Sequence, residues 1–256
     1  MIAVTPIKAF SDNYIWCLQA SGSQDAVIVD PGDGQPVLSA LSAGGLTLAG
    51  ILITHHHFDH TGGLELLLEH TEVPVWGPHN PAIGQISVRL GDGDRVRVLG
   101  AEFEVIEVPG HTLDHIAFFS AEQSLLFCGD TLFTGGCGRL FEGDAATMYR
   151  SLGRLAALPD ATRVYCGHEY TMANLAFAEA VEPENATLSA RISADGRSRE
   201  QDLPTVPSVL SLERATNPFL RCAEASVANH MQARDSIDPE DPVAVFAAVR
   251  GWKDNF

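Results

Sequence analysis

The apolar run Leu48–Ile53 leads into Thr54-His55-His56-His57-Phe58-Asp59-His60, which sets four histidines and an aspartate in six consecutive positions. Ile51-Leu52-Ile53 reads as a buried strand, and Gly62-Gly63 followed by Leu64, Leu66, Leu67 and Leu68 reads as a turn entering a helix. The histidines therefore sit at a strand-to-helix junction. Side chains two apart in an extended segment point the same way, so His55 and His57 reach one ion while His56 points elsewhere. Asp59 and His60 begin the helical turn and face a second position close by. A zincin helix needs histidines four apart and a zinc finger needs paired cysteines, and neither pattern is present. The internal position, flanked by core-like segments, argues against a tag remnant.

The same grammar recurs further along. Glu102–Val108 alternates like a strand and runs into Pro109-Gly110-His111, Leu125–Cys128 into Gly129-Asp130, and Val164–Cys166 into Gly167-His168. Glycine admits backbone angles that other residues resist, which lets a chain leaving a sheet turn sharply and present the next side chain at the sheet's edge. Taken together, His55, His57 and His111 are expected to hold one metal and Asp59, His60 and His168 a second, with Asp130 bridging. A bridging carboxylate suits two cations about 3.5–4 Å apart, since each oxygen serves one ion.

That ligand pattern resembles the metallo-β-lactamase-fold hydrolases over roughly the first 170 residues. Within that superfamily, the Thr54–His60 motif, Gly136-Cys137-Gly138-Arg139-Leu140-Phe141-Glu142-Gly143 and Cys166-Gly167-His168-Glu169-Tyr170-Thr171 resemble the glyoxalase II (hydroxyacylglutathione hydrolase) family. Asn217-Pro218-Phe219-Leu220-Arg221 and Arg250-Gly251-Trp252-Lys253-Asp254-Asn255-Phe256 carry the similarity to the last residue.

Strand-like segments at 2–8, 14–20, 26–30, 48–54, 95–99, 102–108, 116–120 and 124–128 alternate with helical stretches at 36–43, 63–69 and 145–158, which predicts an α/β sandwich. The resemblance implies a metallo-β-lactamase-like αββα sandwich over residues 1–170, followed by a smaller helical domain over residues 171–256. After Tyr170 the sequence is alanine-rich and broken by Pro183, Pro204, Pro207 and Pro218. Asp241-Pro242 reads as a cap and a first-position proline that start a final helix. On that helix Arg250 and Lys253 are three apart and share a face. The resemblance assigns this basic pair to a glutathione carboxylate, and places Arg139, Phe141 and Tyr170 at the same glutathione site. Phe141 stands where some family members carry tyrosine, so it offers the ring without the hydroxyl.

Net charge is −17, from 16 Lys and Arg against 33 Asp and Glu. Affinity for nucleic acid comes largely from clustered cations, so a nucleic-acid partner is not expected. The five cysteines show no C-x-x-C spacing, which fits a reduced, cytoplasmic protein. Cys128 and Cys166 read as small core residues. Pro6, Lys8 and Asp12 interrupt the start of the chain, so neither a signal peptide nor a membrane span is expected. A monomer is the expectation. His56, His70 at the end of an amphipathic helix, and His79 and His230 in polar surroundings without partners are given no role. His115, four positions after His111, is a candidate to hydrogen-bond behind the ligands.

The expected cofactors are two divalent ions, zinc ahead of iron or manganese, since five imidazoles and two carboxylates suit all three. Two cations sharing a water supply hydroxide at neutral pH, with Asp59 and Asp130 as the catalytic carboxylates. The resemblance implies a thioesterase acting on S-(2-hydroxyacyl)glutathione, foremost S-D-lactoylglutathione, in methylglyoxal detoxification. The alternatives are a lactonase or β-lactamase, a mono-iron persulfide dioxygenase, and a non-catalytic metal-binding module.

Overall fold

The computed structural model of the protein describes residues 1–69 and 71–256, so the helix end expected at His70 lies outside the described residues. The chain forms two compact units, Met1–Glu107 with Asp114–Gly129, and Val108–Leu113 with Asp130–Phe256.

In the first unit, β1 (Ile2–Ala9), β2 (Asn13–Ala20) and β3 (Asp25–Val29) pair antiparallel, and β4 (Thr47–Leu52), β5 (Val75–Pro78) and β6 (Val88–Leu90) then add in parallel. Parallel neighbours need a crossover. Helix α1 (Gly34–Gly44) supplies it between β3 and β4, and α2 (Phe58–Thr61) and α3 (Leu64–Leu68) lie between β4 and β5. The start of α1 is capped by the Asp33 side chain, which accepts from the Gln35 N–H, and its end by Gly45 in the left-handed region. Val37, Leu41, Leu64 and Leu67 of these helices cluster with Ile15, Cys17, Ile28 and Ile51 of the sheet and with Ile53 just past β4. The alternate residues Trp16, Leu18, Val27, Val29 and Leu52 are buried too, so both faces of the sheet are covered, as parallel strands require. Strands β7 (Arg95–Val98), β8 (Ala101–Glu107), β9 (Ile116–Ser120) and β10 (Leu125–Gly129) form an antiparallel ladder in chain order. Every residue of β9 and β10 is buried, whereas β7 alternates exposed and buried positions.

The second unit holds the short pair β11 (Leu132–Phe133) and β12 (Gly136–Cys137), and β13 (Arg163–Cys166) pairs antiparallel with β14 (Ser208–Val209). Its helices are α4 (Ala145–Ala156), α5 (Thr171–Val181), α6 (Ala186–Glu200), α7 (Leu210–Thr216), α8 (Ala225–Asp235) and α9 (Pro242–Lys253), with a 3-10 turn at Pro218–Leu220. The final helix starts as its sequence predicts: the Asp241 side chain accepts from the Val243 and Ala244 amides, and Pro242 takes the first turn. Phe219 packs between Phe177 and Phe246, with ring centroids 6.1 and 5.7 Å away. Beside this apolar core runs a buried ion pair between Arg191 and Glu213. Arg191 also donates to Thr216 Oγ1 at 2.6 Å and Ser208 Oγ at 3.0 Å. Glu213 accepts from the Gly135 N–H at 2.9 Å and from Asn217 Nδ2 at 3.1 Å. Among the described residues no helix is long and apolar enough to cross a membrane.

Candidate metal centre

In the first unit the chain leaving β4 carries Thr54, His55 and His60, all buried. They are organised by Asp30, a buried residue with φ of 53° at the end of the neighbouring β3. The Asp30 carboxylate accepts from the Thr54 N–H at 2.8 Å and the Thr54 hydroxyl at 2.7 Å, and His60 Nδ1 lies 3.0 Å from it. With the carboxylate as acceptor, Nδ1 of His60 carries the proton, and in the neutral imidazole Nε2 is the nitrogen able to bind a cation. The Thr54 hydroxyl proton being directed to Asp30, its oxygen accepts from His55 Nδ1 at 3.1 Å, which leaves Nε2 of His55 as the ligand atom as well. Metal-binding imidazoles have this arrangement, one nitrogen donating to an oxygen and the other bare. Asp59 is steadied by Asn13, whose Nδ2 donates to Oδ2 at 3.0 Å. The His55 ring centroid lies 4.8 Å from that of His57 and 4.2 Å from that of His60. A Cβ on Gly32 would collide with the Asp59 carbonyl, so the chain leaving β3 passes under α2 only as glycine.

His56 turns to Asp114, 2.9 Å from its Oδ1, whose other oxygen accepts from Asn80 Nδ2 at 2.8 Å. His115 stacks flat on His55, centroids 4.5 Å apart, with its Nδ1 3.1 Å from the Ile116 carbonyl. Asp30, Thr54 and Asn13 support the ligands without a motif in the sequence that announces them as such. Asp30-Pro31-Gly32 carries a partial signal, an acidic residue directly after a strand, but its glycine follows the carboxylate where the other three turns place the glycine first.

In the second unit His111, Asp130 and His168 each follow a strand, and Gly110 and Gly129 take positive φ of 151° and 46° as those turns require. Gly167 is not among the positive-φ residues, so the third turn does not depend on that freedom. All three side chains are buried, and Oδ2 of Asp130 lies 3.4 Å from Nε2 of His111 and 3.3 Å from Nε2 of His168. Nδ1 of His111 stands 2.8 Å from the Arg139 carbonyl, which only accepts, so in the neutral imidazole Nδ1 carries the proton and Nε2, beside the Asp130 carboxylate, is the nitrogen able to bind a cation. One cation could take both imidazole nitrogens and the carboxylate oxygen, and the donor set fits a divalent metal. A Cβ on Gly138 would collide with the Asp130 carbonyl, which fixes glycine there. Phe141 meets the His111 ring edge-on at 5.2 Å. Tyr170 stacks on His168 at 4.7 Å with an interplanar angle of 5°. Groups of histidine and aspartate able to hold a metal ion are present in the protein.

The residues expected at a glutathione site are all in the second unit. Arg139 is exposed, with Nε 3.6 Å from Asp254 Oδ1. Phe141 and Tyr170 also present exposed surface. Arg250 is buried: it donates to the Cys137 carbonyl at 3.1 Å and to Asp254 Oδ1 at 3.1 and 2.9 Å, and lies over the Phe219 ring. Lys253 donates to the Ala173 carbonyl at 3.1 Å, and burial, with Arg250 adding to it, lowers its pKa. All five cysteines are buried free thiols. Burial pushes Cys137 up to about 11 against the pull of Arg250, and Cys166 up to about 12, so neither is a thiolate nucleophile near neutral pH. His230 has a partner, contrary to expectation, because its ring stacks on Trp252 at 5.7 Å.

Residues 13–168 match the family model of the metallo-beta-lactamase superfamily. Among solved structures, ETHE1 from Myxococcus xanthus is 26% identical with a TM-score of 0.66, covering 99% of this chain and 98% of that one. The BLEG-1 B3 metallo-β-lactamase shares the fold at 23% identity and a TM-score of 0.64, over 86% of this chain and 99% of that one. The class is thus a metallo-β-lactamase-like α/β fold followed by a helical C-terminal domain, as the sequence predicts. Residues 169–256 match the model described as the hydroxyacylglutathione hydrolase C-terminus. The hydroxyacylglutathione hydrolase of Chromohalobacter salexigens is 54% identical over 257 residues, 100% of each chain. The chain belongs to the hydroxyacylglutathione hydrolase family.

Proposed function

We propose that the chain is a binuclear-metal thioesterase that hydrolyses S-(2-hydroxyacyl)glutathione, foremost S-D-lactoylglutathione, to glutathione and D-lactate in methylglyoxal detoxification. The observation that carries the chemistry is the approach of His111 Nε2 and His168 Nε2 to one oxygen of Asp130, at 3.4 and 3.3 Å. The substrate class rests on the full-length 54% identity. His55, His57 and His111 would hold one cation and Asp59, His60 and His168 the other, with Asp130 shared between them, a reading supported by the metallo-beta-lactamase match over 13–168, which spans all seven positions. Zinc stands ahead of iron or manganese. When bound there, divalent cations would make water a nucleophile at neutral pH and would serve as Lewis acids for the acyl carbonyl.

The chain's own residues do the rest. Asp59, steadied by Asn13, orients the attacking water and takes its proton. The leaving thiol has an ordinary pKa of about 8.5, so it departs as thiolate without a dedicated acid. Lys253 and Arg139 attract the glutathione carboxylates, and Tyr170 and Phe141 line the peptide. Arg250 acts on that site from behind, through the Cys137 carbonyl and Asp254. The catalytic domain runs over 1–170 and the glutathione-binding helical domain over 171–256, supported by the border of the two matches at 168 and 169. A cytoplasmic monomer with no membrane or nucleic-acid partner goes with this assignment, the net charge of −17 opposing the latter. The lactonase, β-lactamase and persulfide dioxygenase alternatives are not favoured beside a 54% identical relative that spans the whole chain.

The test compares kcat/KM for S-D-lactoylglutathione with that for a matched lactoyl thioester lacking the glutathione peptide, on metal-loaded and chelator-stripped protein. Two charge-assisted contacts correspond to a preference on the order of 100-fold for the glutathione thioester, abolished by the chelator. Equal turnover of the two thioesters, or turnover that survives metal removal, would overturn the proposal.

A further inference from the structure

We infer that Tyr170 and Phe133 are positioning residues that fix the imidazole plane of His168, so that the aromatic residue facing the glutathione site also sets how tightly a metal is held beside Asp130. The inference rests on the binuclear assignment above and adds a coupling between substrate site and metal.

Rotation of an imidazole about its Cβ–Cγ bond is soft, so a ligand histidine needs something to hold its plane. Around His111 that group is the Arg139 carbonyl on Nδ1. Around His168 rings surround the imidazole: Tyr170 covers one face at 4.7 Å and 5°, and Phe133 meets it edge-on at 5.9 Å while also meeting Tyr170 edge-on at 5.4 Å. Phe133 is itself immobilised. It is buried on β11, and Asn217 Nδ2 donates to the Phe133 and Gly136 carbonyls at 3.3 and 2.9 Å.

A flat stack is the less favoured geometry for two electron-rich rings. It becomes favourable when one ring is electron-poor, as an imidazole is once its Nε2 lone pair is shared with a cation. Metal binding therefore strengthens the stack. By linkage the stack strengthens metal binding by the same factor, and a ligand that presses on Tyr170 shares in the coupling. Supports behind a metal ligand change affinity by about 10- to 100-fold, and one lost ring contact corresponds to the lower end.

The experiment is a cobalt(II) titration of the chelator-stripped full-length chain, followed by visible absorption and by competition with a chromophoric chelator, so that no turnover is needed. Wild type is expected to take up two equivalents. Tyr170→Phe, which keeps the stacked ring, should bind both as wild type does and change only KM for the thioester. Tyr170→Ala should weaken one equivalent roughly tenfold and alter its absorption bands while leaving the other equivalent in place. Tyr170→Leu, which keeps the volume without the π face, should do the same and serves if the alanine variant does not fold. Leucine or alanine variants that bind both equivalents with wild-type affinity and spectrum overturn the inference. So does a phenylalanine variant as weak as leucine, which would assign the effect to the hydroxyl. Wild-type uptake of fewer than two equivalents overturns the binuclear assignment and the inference together.

Discussion

Asp30 and Glu213 are both buried carboxylates, one in each unit, and their partners differ. Asp30 faces Thr54 and His60, so its charge sets the tautomers of candidate ligands. Glu213 faces Arg191, Ser208, Gly135 and Asn217, so its charge ties helices and a hairpin together. The histidines of the second unit are held by other means, the Arg139 carbonyl behind His111 and rings around His168. A buried carboxylate is tolerated only when its lone pairs are met. Which donors meet them decides whether the group serves the site or the scaffold.

The largest expected effect tests the scaffold side. Glu213→Gln leaves buried Arg191 with Asp195, 3.3 Å from its Nε, as its remaining carboxylate partner, and should cost about 3 kcal/mol of stability, measured by denaturant unfolding. Glutamine keeps an oxygen for Gly135 and Asn217, so cobalt affinity should stay close to wild type. Asp30→Asn should show the opposite pattern. A carboxamide offers one oxygen where three donors converge, so stability should fall by about 2 kcal/mol and metal affinity by roughly 10- to 100-fold. If Glu213→Gln loses the metal and Asp30→Asn keeps it, the division of labour between the two carboxylates is wrong.

The same contrast explains what the sequence makes legible. The order of strand, glycine and ligand leads to His111, Asp130 and His168 because each follows a strand long enough to read. Asp30 escapes because its partners Thr54 and His60 lie 24 and 30 residues on, brought near by the parallel pairing of β3 with β4. β5 and β6 also escape, being four and three residues long, the former with Gly77 and Pro78 inside it. The burial of Arg250 is not legible for a related reason. A spacing of three on a helix brings two side chains near each other without making both exposed, and Asp254 with the Cys137 carbonyl lets Arg250 turn inward. His230 lies 22 residues before Trp252, a separation at which no sequence periodicity announces a stack.

A third buried carboxylate sharpens the contrast through pH. Burial opposes the charge of Glu182, but hydrogen bonds from Arg221 and Ser226 outweigh it and hold the carboxyl below its ordinary value of 4.5. Its stabilisation is therefore complete above that value and is lost as pH falls through the lowered folded one. Glu182→Gln should lower stability at neutral pH by about 1 kcal/mol, Arg221 being partly exposed, and should flatten that stretch of the acid dependence of Tm. An unchanged acid limb would mean that the pair contributes nothing to the helical scaffold.

The smallest effect is the most discriminating for the rings. Phe141 touches His111 edge-on, as Phe133 touches His168, but His111 already has its Nδ1 held by the Arg139 carbonyl. Its backbone tie, the Phe141 N–H to the His111 carbonyl at 3.2 Å, survives any side-chain change. Phe141 is 61% exposed, so Phe141→Leu removes little buried surface and at most one edge contact, about 0.5 kcal/mol or a factor of two in cobalt affinity. Tyr170→Leu, acting on a histidine held by rings, should cost several times more. Equal losses for the two variants would mean that an edge contact and a flat stack matter alike, and the distinction between the ring contacts of His111 and His168 would not stand.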